Sequence, residues 1–98
     1  MSSLPKDKNL DNLFNAVLQL KNLDECYDFF DDLCTTQELR SISQRLHVAK
    51  LLTQRKVYNE IVAETGASTA TISRVKRTIE KGNNAYEMIF ERLGADDK

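Results

Sequence analysis

The 98-residue sequence predicts an all-α protein of about six helices, for three reasons. Apolar residues recur at steps of three and four along most of the chain, which is the spacing of one helix face. One proline and three glycines leave long windows in which a helix is not interrupted. No segment alternates apolar and polar residues as a half-buried strand does. We therefore expect a single helical domain over residues 1–98, with flexible ends at 1–8 and 94–98.

The first two predicted helices each carry an apolar stripe. The first stripe consists of Leu10, Leu13, Phe14, Val17 and Leu18. Asn22 and Glu25 form a capping pattern at the start of the second helix. Its stripe consists of Leu23, Cys26, Tyr27, Phe30, Leu33 and Cys34, opposite an acidic face of Asp24, Asp28, Asp31 and Asp32. Because the two cysteines share the apolar stripe, we expect reduced core thiols rather than a disulfide or a metal site.

The third predicted helix begins at a second capping pattern, Thr35 with Glu38. Its apolar positions cover more than one side: Leu39, Ile42, Leu46, Val48, Ala49, Leu51 and Leu52. A helix that is apolar on several sides is buried on several sides. In so short a chain this predicts a central helix that packs against a partner subunit.

A helix-turn-helix is predicted over about residues 57–81. Val57, Ile61 and Val62 give the apolar side of its first helix, and Gly66 is the expected turn residue because it tolerates positive φ. Ser68 can cap the second helix, whose inward stripe is Ile72, Val75 and Ile79. A last helix follows Asn83 or Asn84, with the stripe Tyr86, Ile89, Phe90 and Leu93.

Charge is distributed unevenly along the chain. The net charge is −1, but residues 39–81 hold nine Lys and Arg against three Glu, whereas residues 1–38 hold three Lys against eight Asp and Glu. A basic segment that contains a helix-turn-helix is typical of DNA binding. The alternative is a solvated charged surface without a partner.

The second helix of the pair combines two kinds of exposed residue. Short side chains that suit close approach to base edges in the major groove are Ser68, Thr69, Ala70, Thr71 and Ser73. Cations that suit phosphates are Arg55, Lys56, Arg74, Lys76, Arg77 and Lys81. The start of this helix has no Asn or Gln to read a purine, so specificity is expected to rest partly on water and DNA shape. Tyr58 is equally compatible with a phosphate contact and with packing.

The segment GASTATISR at residues 66–74 resembles the turn and recognition-helix start of the Trp repressor superfamily, where the pattern reads GAGIATITR. The similarity spans roughly residues 33–81 and looks closest to the branch called YerC/YecD-like. The resemblance implies an intertwined all-α homodimer that regulates transcription, and repression is the expected effect. Two-fold symmetry would place two recognition helices about 34 Å apart on a near-palindromic operator.

The resemblance also implies a ligand site. Arg45 and Arg74 match the two arginines that enclose the indole in the Trp repressor, and Thr78 matches the serine that meets the amino group. Two departures argue against tryptophan here: the spacing from Arg45 to Gly66 is one residue shorter, and Val75 replaces a glycine. A smaller amino acid as co-repressor, or no ligand, are the alternatives.

Other function classes receive little support. His47 is the only histidine and has no matching acid or nucleophile, so we expect neither an enzyme nor a metal site. No apolar run reaches the length of a membrane span, and the N-terminus lacks the apolar core of a signal peptide, so we expect a cytoplasmic protein. The competing hypotheses are a helical dimer that acts as a protein-interaction module and a DNA-organising protein without a ligand.

Overall fold

A computed structural model describes residues 2–94. It contains six α-helices, whose bounds are α1 Lys8–Val17, α2 Leu23–Leu33, α3 Thr36–Thr53, α4 Tyr58–Thr65, α5 Thr69–Lys81 and α6 Ala85–Leu93. The described residues form no strand, and the all-α prediction is confirmed. The flexible ends predicted from the sequence include Met1 and residues 95–98, which lie outside the described residues.

The chain divides into two compact units, with the boundary between Leu39 and Arg40 inside α3. The first unit contains α1 and α2, and side chains cap both helices. Asp7 accepts a hydrogen bond of 2.7 Å from the amide of Asn9. Asn22 accepts one of 2.9 Å from the amide of Glu25, as predicted. The Glu25 carboxylate accepts in return from the amide of Lys21, one residue before the cap.

The start of α3 is a complete capping box. The amide of Glu38 donates to the Thr35 hydroxyl at 3.1 Å, and the amide of Thr35 donates to the Glu38 carboxylate at 2.8 Å. The backbone and hydroxyl hydrogen bonds from Thr35 favour the ionised carboxylate and lower the pKa of Glu38 below its ordinary value.

Neither α1 nor α2 contains a buried residue, although the structure describes both helices in full. Each of their apolar stripes is partly open to solvent in the single chain. Phe14, Leu18, Leu23, Tyr27 and Leu33 expose between 48% and 75% of their surface. Cys26 and Cys34 are free thiols in the single chain, and both are half-buried rather than enclosed in a core as expected.

The second unit has the core that the first unit lacks. Its buried side chains come from α3, α4, the turn and α5: Val48, Ala49, Leu51, Ile61, Ala67, Ile72 and Val75. Further side chains pack around them: Leu52, Tyr58, Ile79, Tyr86 and Phe90. The predicted inward stripe of α5 is thereby confirmed, with Ile72 and Val75 buried and Ile79 half-buried.

Several apolar residues that the sequence assigns to packing are exposed. Val57 precedes α4 as its N-cap and is 60% exposed, so its assignment to the packing side of that helix is wrong. Val62 is 37% exposed, and Ile61 is the one buried residue of α4. On α3, Ile42 and Leu46 are 51% and 43% exposed.

The last helix follows a left-handed residue. Asn84 has φ +60° and is the N-cap of α6, but its side chain makes no capping hydrogen bond. Tyr86 and Phe90 pack on the core with stacked rings whose centroids are 6.2 Å apart. Ile89 and Leu93, on the same predicted stripe, are 40% and 52% exposed. Within residues 2–94, no helix combines the length and apolarity that crossing a bilayer requires.

Candidate nucleic-acid interface

The turn between α4 and α5 is held by backbone conformation and by one hydroxyl. Gly66 has φ +73°, which a side chain would strain, and it ends α4 as predicted. The Thr65 hydroxyl donates to the Ile61 carbonyl at 2.7 Å and accepts from the amide of Ala67 at 3.0 Å. Ala67 is 2% exposed, so the turn itself is packed into the core.

Two side chains of α3 contact α4. Gln44 donates from its amide nitrogen to the Thr65 carbonyl at 3.2 Å. His47 lies 3.1 Å from the Glu64 carboxylate through Nε2, and both side chains are about half exposed, at 43% and 55%. His47 is therefore a surface residue that connects two helices. These contacts hold the turn on the long helix α3.

The start of α5 is organised by a pair of hydroxyls. The Ser68 hydroxyl accepts from the amide of Thr71 at 3.1 Å, which confirms the predicted cap. It also donates to the Thr71 hydroxyl at 3.1 Å, which leaves the hydrogen of the Thr71 hydroxyl available to another acceptor. Thr71 is half-buried, whereas the other predicted groove residues are exposed: Ser68, Thr69, Ala70 and Ser73.

The exposed side of α5 joins hydroxyls to cations. Thr69, Ser73 and Lys76 are spaced at i, i+4 and i+7 and therefore form one stripe along the helix. The remaining cations predicted on this helix are also exposed: Arg74, Arg77 and Lys81. The opposite stripe is buried, so the orientation of α5 presents the hydroxyls and cations to solvent together.

Arg55 and Lys56 lie in the connection between α3 and α4, and both are exposed. Arg55 has φ +64°, a left-handed conformation that is uncommon for a residue with a side chain. Its amide donates to the Leu52 carbonyl at 3.0 Å, and that of Lys56 donates to the Leu51 carbonyl at 3.1 Å. This is the Schellman pattern of a helix end, in which glycine usually occupies the position of Arg55.

Tyr58 connects the two helices of the motif. It is half-buried and packs against the core. Its hydroxyl lies 3.5 Å from the Ser73 hydroxyl, and Lys76 Nζ lies 5.9 Å from the centre of its ring. The sequence left Tyr58 open between a phosphate contact and packing. A tyrosine at the first residue of α4, close to a basic run, was the available signal, but its two neighbours on α5 could not be inferred from spacing.

The predicted ligand residues lie on α3 and α5. Arg45 is half-buried, and Arg74 and Thr78 are exposed. The Thr78 hydroxyl donates to the Arg74 carbonyl at 3.2 Å, so its lone pairs remain able to accept from an ammonium group. Thr78 also lines an open groove of about 320 Å³ together with Leu46, Ile89 and residues 83–87. Arg45 and Arg74 are not among the residues that line this groove. The Val75 side chain is 2% exposed and packs into the core.

Known proteins are similar to this chain along nearly its whole length. The family model of the Trp repressor protein matches residues 8–94. Protein YerC of Bacillus subtilis, itself uncharacterized, is 58% identical over 88 residues, which cover 90% of this chain and 85% of that protein.

Two crystal structures are similar to the fold of this chain. A TrpR-like protein from Eubacterium eligens has a TM-score of 0.89 and 53% identity, covering 92% of this chain and 93% of that chain. A candidate Trp repressor from Staphylococcus aureus has a TM-score of 0.87 and 57% identity, covering 90% and 88%.

The match includes all six helices, so it extends beyond the short motif that carried the resemblance in the sequence. The family consists of DNA-binding regulators rather than enzymes. A regulator of this kind places exposed polar residues of its second helix against DNA, and the stripe of hydroxyls and cations on α5 is compatible with that geometry. The chain belongs to the Trp repressor family, in the branch represented by YerC.

Proposed function

We propose that this protein is a homodimeric transcriptional repressor that reads a near-palindromic operator with α5. The observation that carries the proposal is the division of α5 into two faces. Ile72 and Val75 are buried in the core, while Thr69, Ser73 and Lys76 form an exposed stripe. Small hydroxylated side chains allow close approach to base edges, and the neighbouring cations bind phosphates.

The exposed apolar stripes of α1 and α2 support the dimer. Phe14, Leu23 and Tyr27 are large side chains that remain 48%, 72% and 71% exposed within a single chain. A second copy of the chain would cover them, since small helical chains often complete their cores by association. Two copies related by a two-fold axis present two copies of α5, and that symmetry leads to the near-palindromic operator.

DNA recognition is tested in two steps. The purified protein first selects genomic fragments, and its binding to them is then measured over a range of salt concentrations. Discrete recovered sites and steep salt dependence are expected. Binding that is indifferent to sequence would favour the DNA-organising alternative. A complete absence of binding would contradict the proposal and favour a protein-interaction module.

Lys76→Ala tests the phosphate role of the cations on α5. We expect weaker binding to all sequences alike, and a salt slope reduced by about one unit, because one phosphate contact and its released counterion are lost. Lys21→Ala is the matched control, since Lys21 is an exposed lysine outside the helix-turn-helix. A loss confined to the operator would contradict the phosphate role.

We further propose that any co-repressor is a small amino acid rather than tryptophan. Arg45 and Arg74 carry guanidinium groups that can donate to a carboxylate, and the Thr78 hydroxyl keeps lone pairs for an ammonium group, but of these three only Thr78 lines the open groove. Isothermal titration with tryptophan and with small amino acids, each repeated on Arg45→Ala, tests this assignment. Stoichiometric tryptophan binding would overturn it.

A further inference from the structure

Tyr58 contacts two residues of the exposed stripe on α5, the stripe formed by Thr69, Ser73 and Lys76. Its hydroxyl approaches Ser73 to 3.5 Å, and its ring lies 5.9 Å from the ammonium of Lys76. Ser73 and Lys76 belong to α5, whereas Tyr58 begins α4. One side chain of the first helix therefore reaches two candidate DNA contacts of the second.

The Tyr58 ring is held in place by its packing against the core. Tyr58 is half-buried and packs against the core of the second unit, which restricts the rotamers open to its ring. Lysine loses a large rotamer entropy when it is ordered, and a serine hydroxyl rotates freely unless a partner directs it. A fixed aromatic face attracts a cation, and a fixed hydroxyl directs a neighbouring one. Ordering these groups before DNA arrives reduces the cost of ordering them on binding.

We infer that Tyr58 is a positioning residue for DNA recognition, which sets the Ser73 hydroxyl and the Lys76 ammonium before contact with the duplex. The inference rests on the proposed function, because it assigns a role within the same surface. Its hydroxyl acts on Ser73, and its ring acts on Lys76. The two parts of the side chain can therefore be tested separately.

Two substitutions separate the two parts. Tyr58→Phe keeps the ring and removes the hydroxyl beside Ser73. Tyr58→Leu keeps an apolar side chain against the core and removes the aromatic face below Lys76. Each is measured alone and in double-mutant cycles, the first with Ser73→Ala and the second with Lys76→Ala. Thr69→Ala and Arg77→Ala are the matched partners, since they lie on the same exposed surface and have no hydrogen bond or ring contact with Tyr58.

The measurement is fluorescence anisotropy with labelled duplexes of about 30 base pairs, which accommodate two half-sites one helical turn apart. One duplex is the strongest site recovered from genomic selection, and the other is a mixed-sequence pool. We expect each Tyr58 variant to weaken operator binding about two- to fivefold. The effect of Tyr58→Phe should vanish when Ser73 is already alanine, and that of Tyr58→Leu should shrink when Lys76 is alanine. Cycles with Thr69→Ala and Arg77→Ala should be additive.

The outcomes distinguish this inference from the proposed function. Circular dichroism and thermal unfolding first establish that each variant folds, and Tyr58→Phe carries the test if the leucine variant does not. Wild-type protein that binds neither duplex overturns the proposed function and this inference with it. Wild-type binding that Tyr58→Phe leaves unchanged, or cycles with Ser73 and Lys76 that are additive, overturns this inference alone.

Discussion

The two compact units of the chain use similar amphipathic helices with different results. In the unit that begins at Arg40, apolar residues of three helices and a turn meet in a closed core that includes Val48, Ile61 and Ile72. In the unit that ends at Leu39, α1 and α2 have equally clear stripes, but no residue of either helix is buried. Amphipathic spacing thus shows that a helix face will be covered, without showing whether the same chain covers it.

This difference separates two tasks. The second unit supports the helix-turn-helix by its own packing, and side chains such as Gln44 and His47 add contacts from α3. The first unit leaves large side chains exposed, which under our proposal a second copy covers. Substitutions in the two units should therefore affect different properties, dimer formation in the first unit and folding or DNA binding in the second.

The largest expected effect is from Phe14→Asp in α1. If a second copy covers the stripe, each dimer loses the burial of two phenyl groups that are 48% exposed in the single chain, and it must desolvate two carboxylates in their place. Together these costs should raise the dissociation constant about a hundredfold or more. Sedimentation equilibrium over a range of concentrations measures it. Asn15→Asp adds the same charge at the neighbouring exposed position and serves as the control. An unchanged dissociation constant would show that the α1 stripe lies outside the interface.

Ile61→Ala probes the core of the second unit. Ile61 has no exposed surface, so its truncation should lower the free energy of unfolding by about 2–5 kcal/mol. Val62→Ala is the matched control, since that neighbouring side chain is 37% exposed and should cost about 1 kcal/mol or less. Urea unfolding at one fixed protein concentration compares them. Equal losses for the two variants would contradict the burial difference on α4.

Arg55→Gly separates stability from DNA binding within the second unit. Glycine accepts the left-handed conformation of this position without strain, so we expect stability to stay unchanged or rise by up to about 1 kcal/mol. Loss of the guanidinium should weaken DNA binding and reduce its salt slope by about one unit. Thermal unfolding and anisotropy are measured on the same preparation. A clear loss of stability, or DNA binding with the wild-type slope, would contradict this assignment.

The smallest effect concerns Glu38 in the capping box of the first unit. Its pKa is lowered in the folded protein by the hydrogen bonds from Thr35. A lowered pKa contributes stability that is present above the ordinary glutamate pKa of about 4.3 and is lost as pH falls through the folded value. Glu38→Gln should reduce the dependence of the thermal midpoint on pH in this acidic window. Between about pH 6 and 8 the pH dependence of the midpoint should be the same as in the wild type. Glu25→Gln, at the other capping pair, is the comparison. An acid dependence identical to that of the wild type would argue against a role for Glu38.

Local rules explain why much of the fold was predictable. Capping at Asn22, Thr35 and Ser68 involves residues three apart, and the turn at Gly66 depends on the φ of one residue. The inward stripe of α5 follows from helical spacing alone. The resemblance to the Trp repressor family centres on the motif at residues 66–74 and spans roughly residues 33–81, and the family match over residues 8–94 confirms it.

Other features depended on how separate helices meet. The sequence places Val57, Ile61 and Val62 on one apolar side of α4, yet only Ile61 is buried there. Arg55 occupies a left-handed position where sequence preference points to glycine, because the end of α3 and the start of α4 impose that conformation.

The sequence by itself determined the six helices, the caps of α2, α3 and α5, the helix-turn-helix and the basic surface of α5, because these depend on dihedral preferences and on spacing within one helix. Only the tertiary structure decided which apolar stripes the chain buries on itself and which remain exposed. It also brought Tyr58 of α4 to Ser73 and Lys76 of α5, since a contact between two helices depends on the turn that joins them and on the core that holds both.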